Sequence, residues 1–462
     1  MIDDFRDHRL DELAGLVRTR RVSAEELTGL ALRRIEELNP PLNAWAALDP
    51  ERALTDARAI DARIAAGDDV GPLAGIPLGV KDLEEAVGFR TGFGSALHAD
   101  DPPAETDSIL VARLRRAGCV VVGKTTTPEF GWTADTQSPH WGVTRNPWNL
   151  ERSPGGSSGG SAVALATGMV PLATGSDGGG SIRIPSALCG LSGIKPTNGL
   201  IPLGGVTPPG SSVLAVRGPM TRRIEDAAHA LQACVGPDET DVFSVLPPAI
   251  DWTPLRAEVP ERVIWAPAPG YPVDAEIARV CADAIARLAR EGTEVLVVDE
   301  LFARDPLDDW FVLWTVMRER GQGHLRGTRD WERIDPGLRE QMDYAQTHVD
   351  APAFMRALDG IHRANLDLVR HFERAPLILL PTVAGQAPTR KPEEWPYRVA
   401  FPPVFNMTRH PAGTVNAGFT SEGLPVGLQV MAPTMRDDLL YRVGAAFEAA
   451  MPAPVPPLAW EV

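Results

Sequence analysis

Two short runs of glycine and serine are the residues of this chain best suited to chemistry. The first spans 155–160 and reads Gly-Gly-Ser-Ser-Gly-Gly, and the second spans 178–181 and reads Gly-Gly-Gly-Ser. Because glycine has no side chain, the backbone presents such a serine to a substrate and surrounds it with N–H donors. A lysine, Lys81, lies upstream at the end of an apolar segment. Two exposed serines and a buried-looking lysine together predict a hydrolase site.

The octapeptide 118–125 has the glycine and lysine spacing of a phosphate-binding loop. Such a loop needs a flexible glycine-rich turn that follows a strand and opens a helix. Here the variable positions are Cys-Val-Val-Val, which favour a strand themselves, and Thr-Thr-Pro follows where a helix would begin. We therefore interpret this segment as a strand and not as a nucleotide site.

A second pattern, Gly-x-Ser-x-Gly at 155–159, is that of the nucleophile elbow of α/β-hydrolases. The elbow needs a strand that runs straight into the serine. The preceding residues 151–154 end in proline and form a poor strand. A Ser-His-Asp esterase also needs a later acid and a histidine, for which His410 is the candidate. The local context disfavours this alternative, which stays open at this point.

The elements that must position these residues alternate between strand and helix through about residue 235. The predicted elements are a strand at 76–80, a helix at 107–117, a strand at 119–122, a small-residue helix that ends at Gly168 and a strand at 170–174. The helix after the first run directs the N–H donors of its N-terminus at the serines. Alternation of this kind is typical of an α/β fold.

The rest of the chain predicts one domain, 1–462, that is divided into four parts. These are an N-terminal helical segment (1–66), a catalytic core (67–235), a helical excursion (240–375) and C-terminal core strands with a helix (376–462). Ser23 and Glu26 form a capping box in the first part. The later predicted elements are helices at 273–290, 307–323 and 351–373, strands at 376–382 and 425–431, and a helix at 436–450.

Three motifs, at 75–82, 155–160 and 175–185, together resemble the hallmarks of the amidase signature family. Shorter phrases that agree with the family lie at 146–148, 189–196, 217–219 and 423–429. The resemblance covers about residues 70–450. It implies an α/β amidase signature fold, with a large mixed twisted β-sheet core that helices cover on both faces. It also implies hydrolysis of a carboxamide C–N bond through an acyl-enzyme.

The resemblance implies a Ser–cisSer–Lys triad. Lys81 is then the base, Ser157 the bridging serine in a cis peptide, and Ser181 the nucleophile, with Ser158 in support. The spacing of 24 residues between the two reactive serines agrees with the family. The backbone N–H groups expected to hold the oxyanion are those of Gly178, Gly179, Gly180 and Ser181.

A lysine must be neutral to accept a proton, so its pKa must fall from about 10.4. Burial behind the apolar strand 76–80 favours that fall, whereas Asp82 opposes it if its carboxylate points inward. Asp177 and Arg183 flank the nucleophile. We interpret them mainly as an ion pair that braces the turn, with a direct substrate role as the alternative.

Substrate class follows less directly from the sequence. Ile184 stands where the glutamine-using branch of the family typically has glutamine, which disfavours the alternative of a tRNA amidotransferase A-type subunit. By family analogy Gly131 and Trp132 contact substrate. Analogy also places the excursion against the acyl pocket, although helical spacing favours core packing for its residues Trp310, Phe311, Trp314 and Met317. We expect apolar or aryl amides, with esters and carbamates (urethanes) as related substrates.

Composition restricts the partners of this chain. Its 462 residues carry a net charge of −16, which argues against nucleic acid as a ligand. The four cysteines have no metal-binding spacing and predict buried reduced thiols. We expect no metal and no organic cofactor. The charged start and the lack of a membrane-length apolar run predict a cytoplasmic protein. We expect a monomer or homodimer that acts on a small molecule.

Overall fold

The computed structural model describes residues 2–205, 213–250, 252–389 and 399–458. Its strands are β1 (Trp45–Leu48), β2 (Pro77–Lys81), β3 (Val120–Thr125), β4 (Gln137–Ser138), β5 (Gly142–Val143), β6 (Leu172–Asp177), β7 (Gly193–Lys195), β8 (Val216–Met220), β9 (Arg262–Trp265), β10 (Glu294–Val297), β11 (Ile378–Pro381), β12 (Ala412–Phe419) and β13 (Pro425–Met431). Its helices are α1 (Leu10–Arg18), α2 (Ala24–Leu42), α3 (Pro50–Ala66), α4 (Ile109–Arg116), α5 (Gly159–Ala166), α6 (Arg183–Cys189), α7 (Ile224–Gln232), α8 (Ala275–Arg290), α9 (Leu307–Gln322), α10 (Pro336–His348), α11 (Ala351–Phe372), α12 (Val404–Met407) and α13 (Asp437–Ala450).

The first sheet has the strand order β1-β3-β2-β6-β8. Lys81 ends its central strand β2, and the second serine run directly follows the neighbouring strand β6. Strand β2 is parallel to both of its neighbours, whereas the edge strands β1 and β8 are antiparallel. Every residue of β2 and β3 is buried. Helices α2, α3 and α5 pack against these strands, as expected for parallel strands whose two faces are covered.

The second sheet has the order β10-β9-β11-β13-β12-β7 and mixes parallel with antiparallel pairs. Its edge strand β7 packs beside β8, the edge of the first sheet. The predicted α/β fold with mixed β structure under helices is therefore confirmed. The strands lie in two adjacent mixed sheets, and β4 and β5 form a separate two-stranded sheet.

Several predicted elements end within three residues of the observed ones, because their local signals are strong. Ser23 caps α2 with a complete capping box, and Ser108 accepts the N–H of Val111 at the start of α4. The segment 118–125 continues as strand β3 through its glycine and lysine to Thr125. Its interpretation as a strand and not a nucleotide loop is confirmed.

Three strands interrupt segments that the sequence predicts to be helical. Strand β1 lies inside 1–66 and pairs with β3, and strands β9 and β10 lie inside the excursion 240–375. These strands are four residues long, and their partners are distant in the chain. Such short runs are recognised as strands only through pairing, which local patterns do not reveal. The helix α10 also went unpredicted.

All four cysteines are buried and free of disulfide bonds, as predicted. Among the described residues, no helix has the length and apolar character needed to cross a membrane.

Candidate active site

Lys81 ends strand β2 with its ammonium nitrogen inside the molecule. Its Nζ lies 2.8 Å from Ser157 Oγ, 2.8 Å from Ser158 Oγ and 3.0 Å from Ser176 Oγ. The backbone N–H of Lys81 donates to Thr174 Oγ1 on the neighbouring strand β6 at 2.9 Å. Three hydroxyl groups therefore surround one lysine nitrogen, and no carboxylate forms an ion pair with it among the described residues.

Burial lowers the pKa of Lys81 to about 7, because water no longer solvates its charge. Asp82 does not oppose this effect by pairing with Lys81. Consecutive strand residues point to opposite faces, and the Asp82 carboxylate lies 3.3 Å from Lys124 Nζ, where it also accepts the N–H of Gly92. A substantial fraction of Lys81 is consequently neutral near pH 7.

Ser157 lies between the lysine and a cavity. The peptide bond between Gly156 and Ser157 is cis, and the Ser157 side chain is almost fully buried, with 2% of the residue exposed. Gly131 adopts φ +66°, and a Cβ on it would lie 3.1 Å from Ser157 Oγ. Glycine at 131 therefore permits the close approach of this loop to the serine.

The two serine runs contact each other directly through the backbone. The N–H of Ser158 donates to the carbonyl of Ser181 at 3.2 Å. Ser157 and Ser181 line the same cavity of about 230 Å³, into which Gly131 and Gly178 also open. The structure thus brings together Lys81, Ser157, Ser158 and Ser181, which lie up to 100 residues apart in the sequence.

The expected oxyanion donors divide into free and occupied N–H groups. The N–H of Gly180 donates to Asp177 Oδ1 at 2.7 Å, so it is not available to a substrate. The N–H groups of Gly178, Gly179 and Ser181 form no hydrogen bond with the described residues. The predicted oxyanion hole stays a prediction, and in this structure three of its four N–H groups are unbonded while the Asp177 carboxylate occupies the fourth.

Asp177 and Arg183 form a buried ion pair at 2.9 Å, and neither side chain reaches solvent. Arg183 also donates to Asn406 Oδ1, Gln429 Oε1 and the Pro402 carbonyl. The guanidinium holds the pKa of Asp177 well below its ordinary value, against the opposing effect of burial. The carboxylate in turn accepts the N–H groups of Gly180 and Ile182, so the pair holds the turn that carries Ser181.

The geometry does not provide a nucleophile elbow around Ser157. Residues 151–158 form turns and coil and no strand. His410 is buried, its Nδ1 pairs with Thr408 Oγ1 at 2.9 Å, and its ring packs against Phe372. Within the described chain, His410 contacts none of the candidate serines, and burial lowers its pKa to about 4. The arrangement around Ser157 instead pairs serines with a lysine.

A model of the amidase family matches residues 26–441 of this chain. The chain belongs to the amidase family. An acylamidase of Rhodococcus erythropolis is 35% identical over 469 residues, which covers 96% of this chain and 95% of that protein. The A-type subunit of a glutamyl-tRNA(Gln) amidotransferase from Acidothermus cellulolyticus is also 35% identical, and the match covers 95% of this chain and 93% of that one.

Solved structures give the same assignment. A bacterial aryl acylamidase of the amidase signature family superposes with a TM-score of 0.89 at 26% identity, covering 97% of both chains. A 6-aminohexanoate cyclic dimer hydrolase superposes with a TM-score of 0.87 at 30% identity, covering 98% of this chain and 99% of that one. This chain is accordingly an enzyme that hydrolyses amides, and the predicted family and enzyme class are confirmed.

The aromatic residues of α9 form part of the cavity wall in this amidase. Trp314 and Met317 line the cavity that contains Ser181, and Trp310 and Phe311 line a neighbouring cavity that shares Trp314. Trp310 Nε1 also donates to the Gly178 carbonyl at 3.0 Å. Sequence reasoning favoured core packing for these residues. They do pack together, yet the same rings form walls because α9 lies over the Ser181 loop.

The two residues predicted to contact substrate lie on different cavities. Gly131 lines the Ser181 cavity, whereas Trp132 lines the neighbouring one and packs beside Gly337. Trp141, in the same part of the sequence, packs against His140 and Gly92.

Among the polar residues of this site that the sequence analysis assigns no role are Ser176, Arg217 and Arg318. Ser176 lies inside the recognised motif 175–185, and strand alternation directs it away from Asp177. The two arginines line the cavity from β8 and α9. Arg217 begins the phrase 217–219, which agrees with the family, but no local pattern distinguishes Arg318 from a surface arginine.

Proposed function

We propose that this amidase cleaves its substrate through an acyl-enzyme on Ser181, with Ser157 as proton relay and Lys81 as base. The observation that carries the proposal is the 2.8 Å contact between Ser157 Oγ and a lysine Nζ whose pKa is about 7. A neutral amine accepts a proton, and a hydroxyl group passes one on because it both donates and accepts.

In the first half of the reaction, Ser181 Oγ attacks the carbonyl carbon and loses its proton to Ser157, which gives its own to Lys81. The N–H groups of Gly178, Gly179 and Ser181 stabilise the negative charge on the carbonyl oxygen. The C–N bond then breaks as a proton returns through Ser157 to the leaving nitrogen. In the second half, water attacks the acyl-enzyme ester by the same proton route and releases the acid.

We further propose apolar or aryl amides as the substrates, with related esters and carbamates. The walls formed by Phe130, Trp314 and Met317 support this substrate class, as do relatives named acylamidase and aryl acylamidase. A panel of acyl anilides, primary amides, esters and carbamates on the purified chain measures the preference. Activity that needs both glutamine and a partner protein supports the amidotransferase alternative instead.

The triad is tested by single substitutions and covalent labelling. Ser181→Ala is expected to lose hydrolysis and labelling by a fluorophosphonate, because the attacking oxygen is absent. Lys81→Met is expected to lower kcat by about 10²–10⁴-fold, the usual contribution of a general base. Hydrolysis that survives in Ser181→Ala and disappears in His410→Ala would contradict the proposed triad.

A further inference from the structure

Three arginines, Arg217, Arg318 and Arg320, line the cavity of the candidate nucleophile. Arg217 and Arg318 each have a buried side-chain nitrogen without a hydrogen-bond partner, and among the described residues neither forms an ion pair with a carboxylate. Arg217 lies on β8 directly opposite Ser176 of the antiparallel strand β6. Residues opposite each other in such a pair carry their side chains on the same face of the sheet. Arg217 therefore shares the face of Ser176, whose Oγ contacts Lys81, and it lines the cavity that contains Ser181.

The Arg217 guanidinium is buried, and within the described part of the chain it forms no contact ion pair with a carboxylate. Only 9% of the residue is exposed, and Nη1 is buried without a hydrogen-bond partner. Glu84 is the acid whose charge it influences, but the Glu84 carboxylate bonds Ser108 and does not pair with Arg217.

Arg318 approaches the same cavity from α9. Its guanidinium lies 4.0 Å above the Trp314 ring, and Nη1 donates to the Phe130 carbonyl at 2.7 Å. Its Nε is buried without a partner among the described residues. Burial lowers the Arg318 pKa to about 10, so the side chain is a cation at neutral pH.

A third buried arginine, Arg183, shows how this chain satisfies such a charge when no ligand is involved. Arg183 bonds one carboxylate, two side-chain amide oxygens and a backbone carbonyl. A buried cation without comparable partners is costly. Guanidinium groups bind carboxylates in particular, because their N–H groups match the two oxygens. Arg217 and Arg318 are thus suited to bind an anionic group of a substrate.

We propose that the natural substrate is an amide that carries a carboxylate on an apolar or aryl body, and that Arg217 and Arg318 bind this carboxylate. The proposal rests on the proposed function, since it assumes that the amide lies against Ser181. The apolar walls of the cavity receive the body of the substrate, and the two arginines select its charged end.

Matched ligand pairs test the proposal without requiring turnover. The probes are N-phenylsuccinamic acid against N-phenylsuccinamide, with the carboxylate on the acyl side, and 4-acetamidobenzoate against 4-acetamidobenzamide, with the carboxylate on the amine side. Binding to Ser181→Ala is measured by calorimetry. We expect the acid of at least one pair to bind about 10-fold more tightly than its amide, as charge-assisted hydrogen bonds allow.

Substitutions then assign the preference to the arginines. In the Ser181→Ala background, Arg217→Met and Arg318→Met should each reduce the ratio of acid to amide affinity, and Arg217→Lys should keep part of it. Arg442→Met, which removes an exposed arginine paired with Glu258, is the control for general charge and should keep the ratio.

Equal affinity for acid and amide in both pairs overturns the proposal, whatever the arginine variants do. That result leaves the proposed triad intact if the wild-type chain hydrolyses a neutral anilide and Ser181→Ala does not. Conversely, an acid preference that disappears in Arg217→Met supports the carboxylate site even if Ser181→Ala still hydrolyses amides, in which case only the triad fails. An unchanged preference in both arginine variants also overturns the proposal.

Discussion

Lys81 shows how one residue acquires its chemistry from burial. Within the described chain no cation contacts its Nζ; the three nearest side-chain groups are hydroxyls, and loss of water lowers its pKa. Arg217 and Arg318 lower that pKa further from a distance, whereas Glu84 and Asp177 raise it. A base made in this way needs no metal and no histidine in the proposed mechanism.

The pH dependence of hydrolysis tests the role of Lys81. Below its pKa of about 7 the side chain carries a proton and accepts none, whereas above that pKa it is neutral. The value of kcat/KM is therefore expected to rise with pH through about 7 and then level off. Lys195 is the control, because burial lowers its pKa to about 7 as well. The rise of kcat/KM with pH should persist in Lys195→Met. If the rise disappears in that variant, Lys195 and not Lys81 causes it.

The Ser176 hydroxyl group is expected to orient Lys81. Its Oγ lies 3.0 Å from Lys81 Nζ and fixes the direction of that nitrogen. Ser176→Ala is expected to lower kcat by about 10-fold with little change in KM, because misdirected groups slow the chemical step more than binding. Steady-state kinetics on one anilide measure both constants. Ser176→Thr, which keeps the hydroxyl, should recover part of the loss, and equal loss in both variants would indicate a packing defect.

Among the elements, α9 connects the helical excursion to the loop that carries Ser181. Its residues Trp310, Trp314 and Arg318 are four positions apart and lie on one face of the helix. The Trp310 and Trp314 rings stack with centroids 5.2 Å apart, and Arg318 covers Trp314. This face contacts Gly178 and Gly179, so the position of α9 limits the shape of the loop before Ser181.

Gly179 tests this contact between elements. A Cβ at 179 would lie 2.6 Å from the Trp310 ring, so Gly179→Ala must displace either the loop or the helix. We expect kcat to fall by at least about 10-fold and stability to fall by about 1–3 kcal/mol, as for an overpacked core. Kinetics and urea unfolding measure the two effects.

In the control Gly15→Ala, the nearest atom to the new Cβ is a side-chain nitrogen at 3.9 Å. Because Gly15 lies inside helix α1, Gly15→Ala should increase stability. Wild-type activity in Gly179→Ala would contradict the prediction.

Across the whole molecule, the Asp177–Arg183 pair connects the two sheets. Asp177 ends β6 of the first sheet, whereas Gln429 belongs to β13 of the second and Asn406 to α12. The turn that carries Ser181 is therefore held from both sheets at once. Its geometry depends on how β7 and β8 bring the sheets together.

Removing this connection should destabilise the whole fold. Arg183→Met leaves the Asp177 carboxylate buried without its cation, which costs about 3–5 kcal/mol. Urea unfolding at neutral pH measures the loss. The exposed pair Arg262–Glu294, at 2.7 Å, is the matched control, and Arg262→Met should cost less than about 1 kcal/mol. Equal effects of the two substitutions would show that burial does not govern the energetics of the pair.

Local patterns were sufficient for much of this architecture. The capping box of Ser23 and the spacing of apolar residues predicted most long helices, because those signals lie within one or two turns. Strands β1, β9 and β10 were missed because their stability comes from partners far along the chain. The contact of Lys81 with Ser157 was expected from a family resemblance, since no spacing between residues 76 positions apart encodes it.

By itself the sequence determined which groups are available: two serines in flexible glycine runs, a lysine at the end of an apolar strand, and arginines of unassigned purpose. Tertiary structure alone decided their state. The fold pairs the Gly180 N–H with Asp177. Among the described residues, the N–H groups of Gly178, Gly179 and Ser181 have no hydrogen-bond partner. Arg217 Nη1 is buried and has no partner there either. The physical reason is that pKa values and hydrogen-bond pairing depend on solvent exclusion by residues distant in sequence. The sequence thus shows that Lys81 is present, but only burial in the fold lowers its pKa to about 7.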